Sequence, residues 1–221
     1  MKILVIRFSS IGDIVLTTPV VRCLKKQLPH AEIHYLTKSA YRDIIEYNPY
    51  IDKKFYLKDN LPEIIRELKM ERYDFIVDLH TSFRSLIVRL QLKRRSNTFN
   101  KLNIEKWLHV NFKWNVLPGV HIVDRYLEPV RMLGIRNDGK GLDYFIHQKD
   151  IIALDALPLT HLHGYIALVI GARHATKKLP TEKIHRLCSL LHFPIVLLGG
   201  PEDAEEGALI AKRDPVKIFN G

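Results

Sequence analysis

The chain has 221 residues, 47% of them hydrophobic and 26% charged, which is typical of a folded protein with one large domain or two modest ones. No apolar run approaches the ~20 residues of a membrane-spanning helix, and the first residues lack the features of a signal peptide. The net charge of +10 indicates an acidic partner: nucleic acid, anionic lipid or a phosphorylated small molecule.

Apolar runs alternate with helical periodicity along the chain. Strands are predicted at Ile3–Ile6, Ile33–Leu36, Phe55–Leu57, Phe75–Leu79, Leu142–Ile146, Tyr165–Ile170, Ile195–Leu198 and Val216–Phe219. Helices are predicted around Val15–Leu28, Tyr41–Tyr47, Glu63–Met70, Phe83–Lys93, Val123–Leu133, Glu182–Leu191 and Ala204–Lys212. Pro19 should kink the first helix or mark its true first turn. The alternation predicts an α/β fold with parallel sheets and helices on both faces.

The pattern loosens between Gly134 and His163, which predicts a domain boundary near residue 160. The two domains are therefore expected at 1–160 and 161–221. The second has too few strands to be covered on both faces in the manner of a doubly wound domain. It is expected to be incomplete, or else a short lobe that packs on the first domain.

The first strand runs into a short polar turn, Ser9–Asp13, and then into a helix. Small residues at such a turn let backbone N–H groups and a helix N-terminus face a ligand. The turn has neither the three glycines of a dinucleotide-binding loop nor the lysine of a P-loop. Asp13 instead suggests a base or a hydroxyl-binding group, and the alternative is that it caps the helix.

A second polar segment follows the strand Phe75–Leu79. Because strand carboxyl ends share one edge of a parallel sheet, His80, Thr81 and Arg84 should lie near Asp13. The helix that follows and its exit carry a basic cluster made of Arg84, Arg89, Lys93, Arg94 and Arg95. This cluster is either a docking surface for phosphates and acidic sugars or an ordinary solvated face.

A third set of residues lies in the second domain. Arg173 and Lys177 follow a strand and the small residues Gly171 and Ala172, an arrangement that suits a diphosphate.

Beyond the next strand, Gly199 and Gly200 would let a nucleotide approach the backbone, and Asp203 could bind a ribose hydroxyl. The ordinary alternatives are a surface lysine, a turn glycine and a helix-capping acid.

The opening run MKILVIRFSSIGDIVLTTPVVR resembles the start of the heptosyltransferase family (glycosyltransferase family 9). Asp78–Arg84, Gly171–Arg173 with Lys177–Pro180, and Leu198–Asp203 fit the same family in order and spacing. The resemblance implies two facing Rossmann-like domains of the GT-B type, with the acceptor on the first and the nucleotide-sugar on the second. A further Asp-Ser/Thr-Gly-x-x-His motif of the family is missing, so the 221-residue chain alone is expected to be inactive.

The resemblance also implies roles for these residues. Asp13 would be the general base of an inverting heptose transfer, and Lys177 would neutralise the leaving diphosphate together with Arg173. The acceptor-binding residues would be Ser9, Ser10, Gly12, His80, Thr81, Arg84 and Arg89. The donor-binding residues would be Arg173, Lys177, Gly199, Gly200 and Asp203. The donor would be ADP-heptose, and the acceptor an acidic lipid-linked oligosaccharide of the lipopolysaccharide core at the inner-membrane surface.

No cofactor or metal is expected. His161 and His163 stand apart from any Cys/His set of metal-binding spacing. Cys23 and Cys188 lie in apolar helical patterns and predict buried thiols in a reducing, cytoplasmic compartment.

Two other classes of function stay open at this stage. One is a non-catalytic module that binds a phosphosugar or glycolipid. The other, weaker because the aromatic residues are scattered, is a basic nucleic-acid-binding protein.

Overall fold

The buried run Ile3–Ile6 forms the centre of the first sheet, because a strand that is apolar at every position can be covered on both faces. In the computed structural model, which describes residues 1–114, 118–153, 156–172 and 174–220, five parallel strands are ordered β3-β2-β1-β4-β5. These strands are β1 (Lys2–Ile6), β2 (Glu32–Lys38), β3 (Lys53–Leu57), β4 (Phe75–Asp78) and β5 (Arg95–Thr98). Strand β1 pairs with β2 on one side and β4 on the other.

Seven helices accompany this sheet in the described residues. They are α1 (Ile11–Val15), α2 (Thr18–Gln27), α3 (Arg42–Ile45), α4 (Leu61–Met70), α5 (Phe83–Leu92), α6 (Asn103–Phe112) and α7 (Ile122–Leu127). The first predicted helix is in fact two helices, and Pro19 lies in the first turn of α2, where a missing N–H costs nothing. A short 3₁₀ segment, Glu128–Leu133, continues α7.

Two elements of this unit were not predicted, and one predicted strand is wrong. Strand β5 is short, polar and at the edge of the sheet, so it lacks the apolar pattern of a central strand. Helix α6 also escaped prediction. The segment Leu142–Ile146 has no strand pairing in the described residues; its inward side chains include Phe145, which packs on Tyr50 with ring centroids 5.8 Å apart.

The segment that ends this unit is fastened to α2 by a buried arginine. The guanidinium of Arg22 is only 2% exposed and donates to both carboxylate oxygens of Asp138, at 2.9 and 2.7 Å. It also donates to the carbonyl of Gly141 and pairs with Asp143. Ion pairs and hydrogen bonds, not a β ladder, therefore hold residues 138–143 in place.

Contacts divide the chain into two units, Met1–His147 and Gln148–Gly221, with the division before the predicted boundary near residue 160. The second unit has a parallel sheet ordered β6-β7-β8. Its elements are β6 (Ile166–Val169), α8 (Thr181–Leu190), β7 (Ile195–Leu198), α9 (Ala204–Ala211) and β8 (Ile218–Asn220). Val169 is 68% exposed, so one face of β6 is uncovered in this unit.

Both cysteines are free and buried, as predicted. Among the residues that the structure describes, no helix is both long and apolar enough to cross a membrane.

Candidate active site

The turns after β1 and β4 lie at the same edge of the sheet. Ile6 is the register partner of Asp78, and the N–H of Leu79 donates to the carbonyl of Ile6 at 3.0 Å. The residues that follow both strands therefore meet where parallel sheets commonly bind ligands. This is the edge on which the sequence placed Asp13 and His80.

Asp13 is the third residue of α1, and Ser10 occupies the N-cap. The alternative that Asp13 is the N-cap is therefore wrong. Its carboxylate nevertheless accepts hydrogen bonds from the backbone N–H of Ser10 at 3.3 Å and from the hydroxyl of Ser10 at 3.0 Å. Both contacts fall on Oδ2. The other oxygen, Oδ1, has only a long contact of 3.5 Å with the hydroxyl of Tyr126. With a side chain 38% exposed, Asp13 can still accept a hydrogen bond from a ligand hydroxyl.

Arg7 holds this carboxylate in place. Its guanidinium pairs with Asp13 Oδ2 at 2.7 Å, donates from Nε to the carbonyl of Ser9 at 2.7 Å, and donates to the carbonyl of Leu79. It also lies over the ring of Tyr126, 5.5 Å from the centroid. Arg7 thus joins the turn after β1 to the turn after β4 and holds the carboxylate of Asp13.

Neither Arg7 nor Tyr126 was predicted as a site residue. For Arg7 a clue existed: a charged side chain directly follows a fully buried strand, and such a group needs a partner. No pattern in the sequence could link Tyr126 to Asp13, because the two residues are far apart in the chain and only the packing of α7 brings them together.

The charges at this edge fix the ionisation of Asp13. Partial burial opposes ionisation, but the charge of Arg7 and the hydrogen bonds from Ser10 outweigh it, and the pKa of Asp13 falls below its ordinary value. Asp13 is therefore an ionised acceptor at neutral pH.

His80 is held in the opposite state. Burial, with the nearby charges of Arg7 and Lys101, lowers the pKa of His80 to about 4. Its ring packs edge-on against Phe8, with centroids 5.2 Å apart, and its buried Nδ1 has no hydrogen-bond partner. At neutral pH it is an uncharged imidazole, able to donate to or accept from a ligand hydroxyl.

Asp78, fully buried at the end of β4, organises this turn. Its Oδ1 accepts the backbone N–H of His80 at 2.9 Å and that of Thr81 at 2.8 Å. Its Oδ2 lies 3.1 Å from Nε of Arg89, an ion pair whose alignment is too poor for a hydrogen bond. The buried hydroxyl of Thr81 also lacks a partner. Several polar atoms at this edge are thus available to a ligand or to water.

The basic cluster is divided by the structure. Arg89 is half-buried against Asp78, whereas Arg84 and the residues Lys93–Arg95 are exposed. Within the cluster, Arg84 is therefore better placed than Arg89 to meet an acidic ligand from solvent.

The predicted donor residues lie at the carboxyl edge of the second sheet. A cavity of about 270 Å³ is lined by Ile170, Gly199, Gly200, Pro201, Asp203, Ala204 and Asn220. Lys177 is exposed, and Arg173 lies outside the described residues.

Asp203 already has partners of its own. Its carboxylate pairs with Lys178 at 2.7 Å and accepts the N–H of Gly200 at 3.0 Å, and these interactions lower its pKa. A side chain on Gly171 would put a Cβ 2.0 Å from Asp203 Oδ2 and would therefore displace this carboxylate. Lys178, which also pairs with Glu206 at 2.8 Å, was not predicted.

One group of potential metal ligands exists in the described residues, at the opposite edge of the first sheet. It consists of Glu32, His34 and Glu71. The carboxylates already pair with lysines: Lys2 lies 2.7 Å from Glu71 and 3.3 Å from Glu32. The group is therefore an ionic network that ties the starts of the strands together.

The chain is similar to known proteins in sequence and in fold. No protein-family model matches the chain. It is 28% identical over 215 residues to lipopolysaccharide heptosyltransferase 1 of Campylobacter coli, covering 88% of this chain and 62% of that protein. It is 33% identical over 216 residues to lipopolysaccharide heptosyltransferase 3 of Escherichia coli, covering 86% and 62%.

The chain is similar in sequence to lipopolysaccharide heptosyltransferases. It spans 62% of the length of both relatives.

Solved structures agree on the fold. The glycosyl transferase family 9 protein from Veillonella parvula superposes with a TM-score of 0.73 at 20% identity, covering 99% of this chain and 68% of that one. E. coli heptosyltransferase WaaC with ADP gives a TM-score of 0.71 at 18% identity, covering 100% and 74%. The predicted α/β fold of the GT-B type is confirmed.

Proposed function

We propose that this chain carries acceptor-binding and donor-binding residues of a heptosyltransferase, an enzyme that transfers heptose from ADP-heptose to the inner core of lipopolysaccharide. The observation that carries the proposal is the carboxylate of Asp13, ionised and oriented by Arg7 at the ligand-binding edge of the first sheet.

In the proposed reaction, Oδ1 of Asp13 takes the proton from an acceptor hydroxyl while that oxygen attacks the anomeric carbon of the heptose. The bond between the anomeric carbon and the diphosphate oxygen breaks on the opposite face, so the configuration inverts and ADP leaves. A base must lie within hydrogen-bond reach of the proton it removes, and Oδ1 is the less occupied oxygen of Asp13. Arg7 keeps the base ionised at the cost of some basicity.

The acceptor would lie along the turns after β1 and β4. Ser9, Ser10 and Gly12 form the backbone of the first turn, and His80 and Thr81 offer polar atoms on the second. Arg84, which is exposed, would meet acidic groups of the acceptor, whereas Arg89 would act by holding Asp78. The net charge of +10 suits a lipid-linked anionic acceptor at the cytoplasmic face of the inner membrane.

The donor diphosphate would be neutralised by Lys177 and Arg173, with Gly199, Gly200 and Asp203 beside the nucleoside. Lys177 is exposed, which leaves it available to an anion. Asp203 would lie beside the nucleoside while its carboxylate stays paired with Lys178.

The direct test is transfer itself. The protein is incubated with ADP-heptose and a heptose-deficient lipopolysaccharide core, and ADP release and product mass are followed. Product that is heavier by one heptose with inverted anomeric configuration supports the proposal. Tight binding of the acceptor with no turnover in any form of the protein would favour the non-catalytic module, and a steep salt-dependent affinity for DNA or RNA would favour the nucleic-acid-binding alternative.

We expect Arg84→Ala to weaken binding of the acidic acceptor by about tenfold and to flatten its salt dependence, because an exposed arginine contributes a screened charge–charge contact. Arg89→Ala should instead lower the free energy of unfolding, since it leaves buried Asp78 without its counter-ion. Acceptor titrations at two salt concentrations and chemical denaturation distinguish the two. Equal acceptor affinity for Arg84→Ala and the unmodified chain at low salt would mean that the basic cluster is an ordinary solvated face that does not bind the acceptor.

The adjacent residues Lys177 and Lys178 provide a test variant and its matched control for the donor site. Lys177→Ala should weaken ADP binding by about 10-fold to 100-fold, as expected for loss of one charge-assisted hydrogen bond to phosphate, with stability unchanged. Lys178→Ala should affect the fold of the turn, because Asp203 and Glu206 lose their shared partner. Calorimetric titration with ADP and thermal unfolding measure both variants. ADP affinity that falls only in Lys178→Ala would contradict the assignment of Lys177.

A further inference from the structure

Helix α6 carries apolar side chains on the face that points away from the protein. Glu105 and Leu108 are half-buried, and so mark the inner face. On the outer side, at helical spacing, lie Ile104, Trp107 and Val110, which are 74%, 56% and 65% exposed. A helix that rests on its own domain normally turns its polar face outward. In α6 three large apolar side chains are exposed instead.

Aromatic side chains extend this apolar surface past the end of the helix. Trp107 contacts Phe112 with ring centroids 5.4 Å apart, and Phe112 contacts Trp114 at 5.6 Å. Phe112 and Trp114 are 53% and 61% exposed. Lys106 and Lys113 lie among these residues and are exposed as well. The membrane-docking surface, as we name residues 104–114, thus combines aromatic rings with positive charge.

The segment that leads into α6 is fastened beside the candidate active site. Phe99 packs edge-on against Tyr126, with centroids 4.7 Å apart, and Arg125 donates to the carbonyl of Asn100. Tyr126 in turn reaches Asp13. Next along the chain, Lys101 lies close enough to Arg7 and Asp13 for their charges to affect its pKa. Whatever binds α6 is therefore brought close to Asp13.

We propose that the membrane-docking surface lies in the headgroup region of an anionic phospholipid bilayer, with Ile104, Trp107 and Val110 inserted among the lipids. Helices that lie in the plane of a membrane combine tryptophan, phenylalanine and leucine-like residues with lysine. Protein–protein interfaces, in contrast, are depleted of lysine. The excess of positive charge over the whole chain favours an anionic surface as the occupant.

The inference deepens the proposed function, because a lipid-linked acceptor would then reach Asp13 from the membrane. It does not require that transfer occurs, and it can be tested with phospholipid alone.

The chain provides its own reporter. It contains two tryptophans, Trp107 and Trp114, and both lie in the membrane-docking surface. Tryptophan emission of the 221-residue chain is recorded with vesicles of phosphatidylcholine, with or without phosphatidylglycerol, and with brominated lipids as quenchers. We expect a blue shift and quenching with the anionic vesicles, both reduced by added salt.

The test variant Ile104→Ser/Val110→Ser keeps both tryptophans and changes only exposed side chains. It should bind anionic vesicles at least about tenfold more weakly, because two inserted aliphatic groups are lost. The control Leu159→Ser/Val216→Ser removes two aliphatic side chains that are 82% and 68% exposed in the second unit, and should bind like the unmodified chain.

Three results would overturn the proposal. One is emission that does not change with anionic vesicles. Another is vesicle binding that the Ile104→Ser/Val110→Ser variant retains, which would mean adhesion through charge alone. The last is a blue shift that grows with protein concentration without lipid, together with a dimer in sedimentation, which would mean that a second copy covers this face.

Discussion

Asp13→Asn is expected to lower heptose transfer by roughly 10²-fold to 10⁴-fold, the range typical of removing a general base. The amide keeps the size of the side chain and can still accept the hydrogen bonds from Ser10, so ADP affinity should change little. Turnover is compared in whichever form of the protein is active, the 221-residue chain or a longer form that contains it. Asp43→Asn is the control, because Asp43 is an acid in the first turn of another short helix, α3.

The pH dependence gives a second, independent measure of the same role. Turnover should fall as the pH drops through the pKa of Asp13, and because Arg7 lowers that pKa, the fall should lie below the ordinary value of about 4. Removing the positive charge in Arg7→Gln should move this limb to higher pH. If Asp13→Asn instead costs about 1 kcal/mol of stability and turnover persists, the carboxylate only supports the helix start.

Arg22→Ala should lower the free energy of unfolding by about 3 kcal/mol, the lower end of the range for breaking a buried ion pair. The variant leaves Asp138 and Asp143 facing each other without their shared cation, and it releases residues 138–143 from α2. Chemical denaturation measures the loss. Arg131→Ala is the control, since its pair with Glu128 is exposed and should contribute roughly 0.2–0.5 kcal/mol.

The loss of stability caused by Arg22→Ala should also depend on pH, and it should become smaller in acid. Arg22 depresses the pKa of Asp138 in the folded chain, so the pair contributes fully above the ordinary carboxyl pKa. The stability difference between Arg22→Ala and the unmodified chain should therefore begin to narrow as the pH falls below about 4. A difference that is small at neutral pH, or that widens in acid, would contradict the assigned role of Arg22.

The central strands and the main helices could be predicted from the sequence because their burial leaves a local pattern. Ile3–Ile6 is apolar at every position, as a strand covered on both faces must be. The local pattern did not predict strand β5, and it wrongly predicted a strand at Leu142–Ile146. The first is polar because it lies at an edge, and the second is mostly apolar in sequence but finds no strand to pair with in the described residues.

For the site, the linear pattern shows that an acid follows the first buried strand and that polar residues follow the fourth, which is enough to place both at one edge of a parallel sheet. The neighbours of that acid are visible only in the folded chain. Arg7 pairs with Asp13 and also donates to the carbonyl of Leu79. The hydroxyl of Tyr126 approaches Asp13 from a helix that is distant in sequence, and Arg89 pairs with Asp78. Local pattern reflects burial and backbone geometry, whereas partners of charged side chains are set by long-range packing, which a linear pattern does not encode.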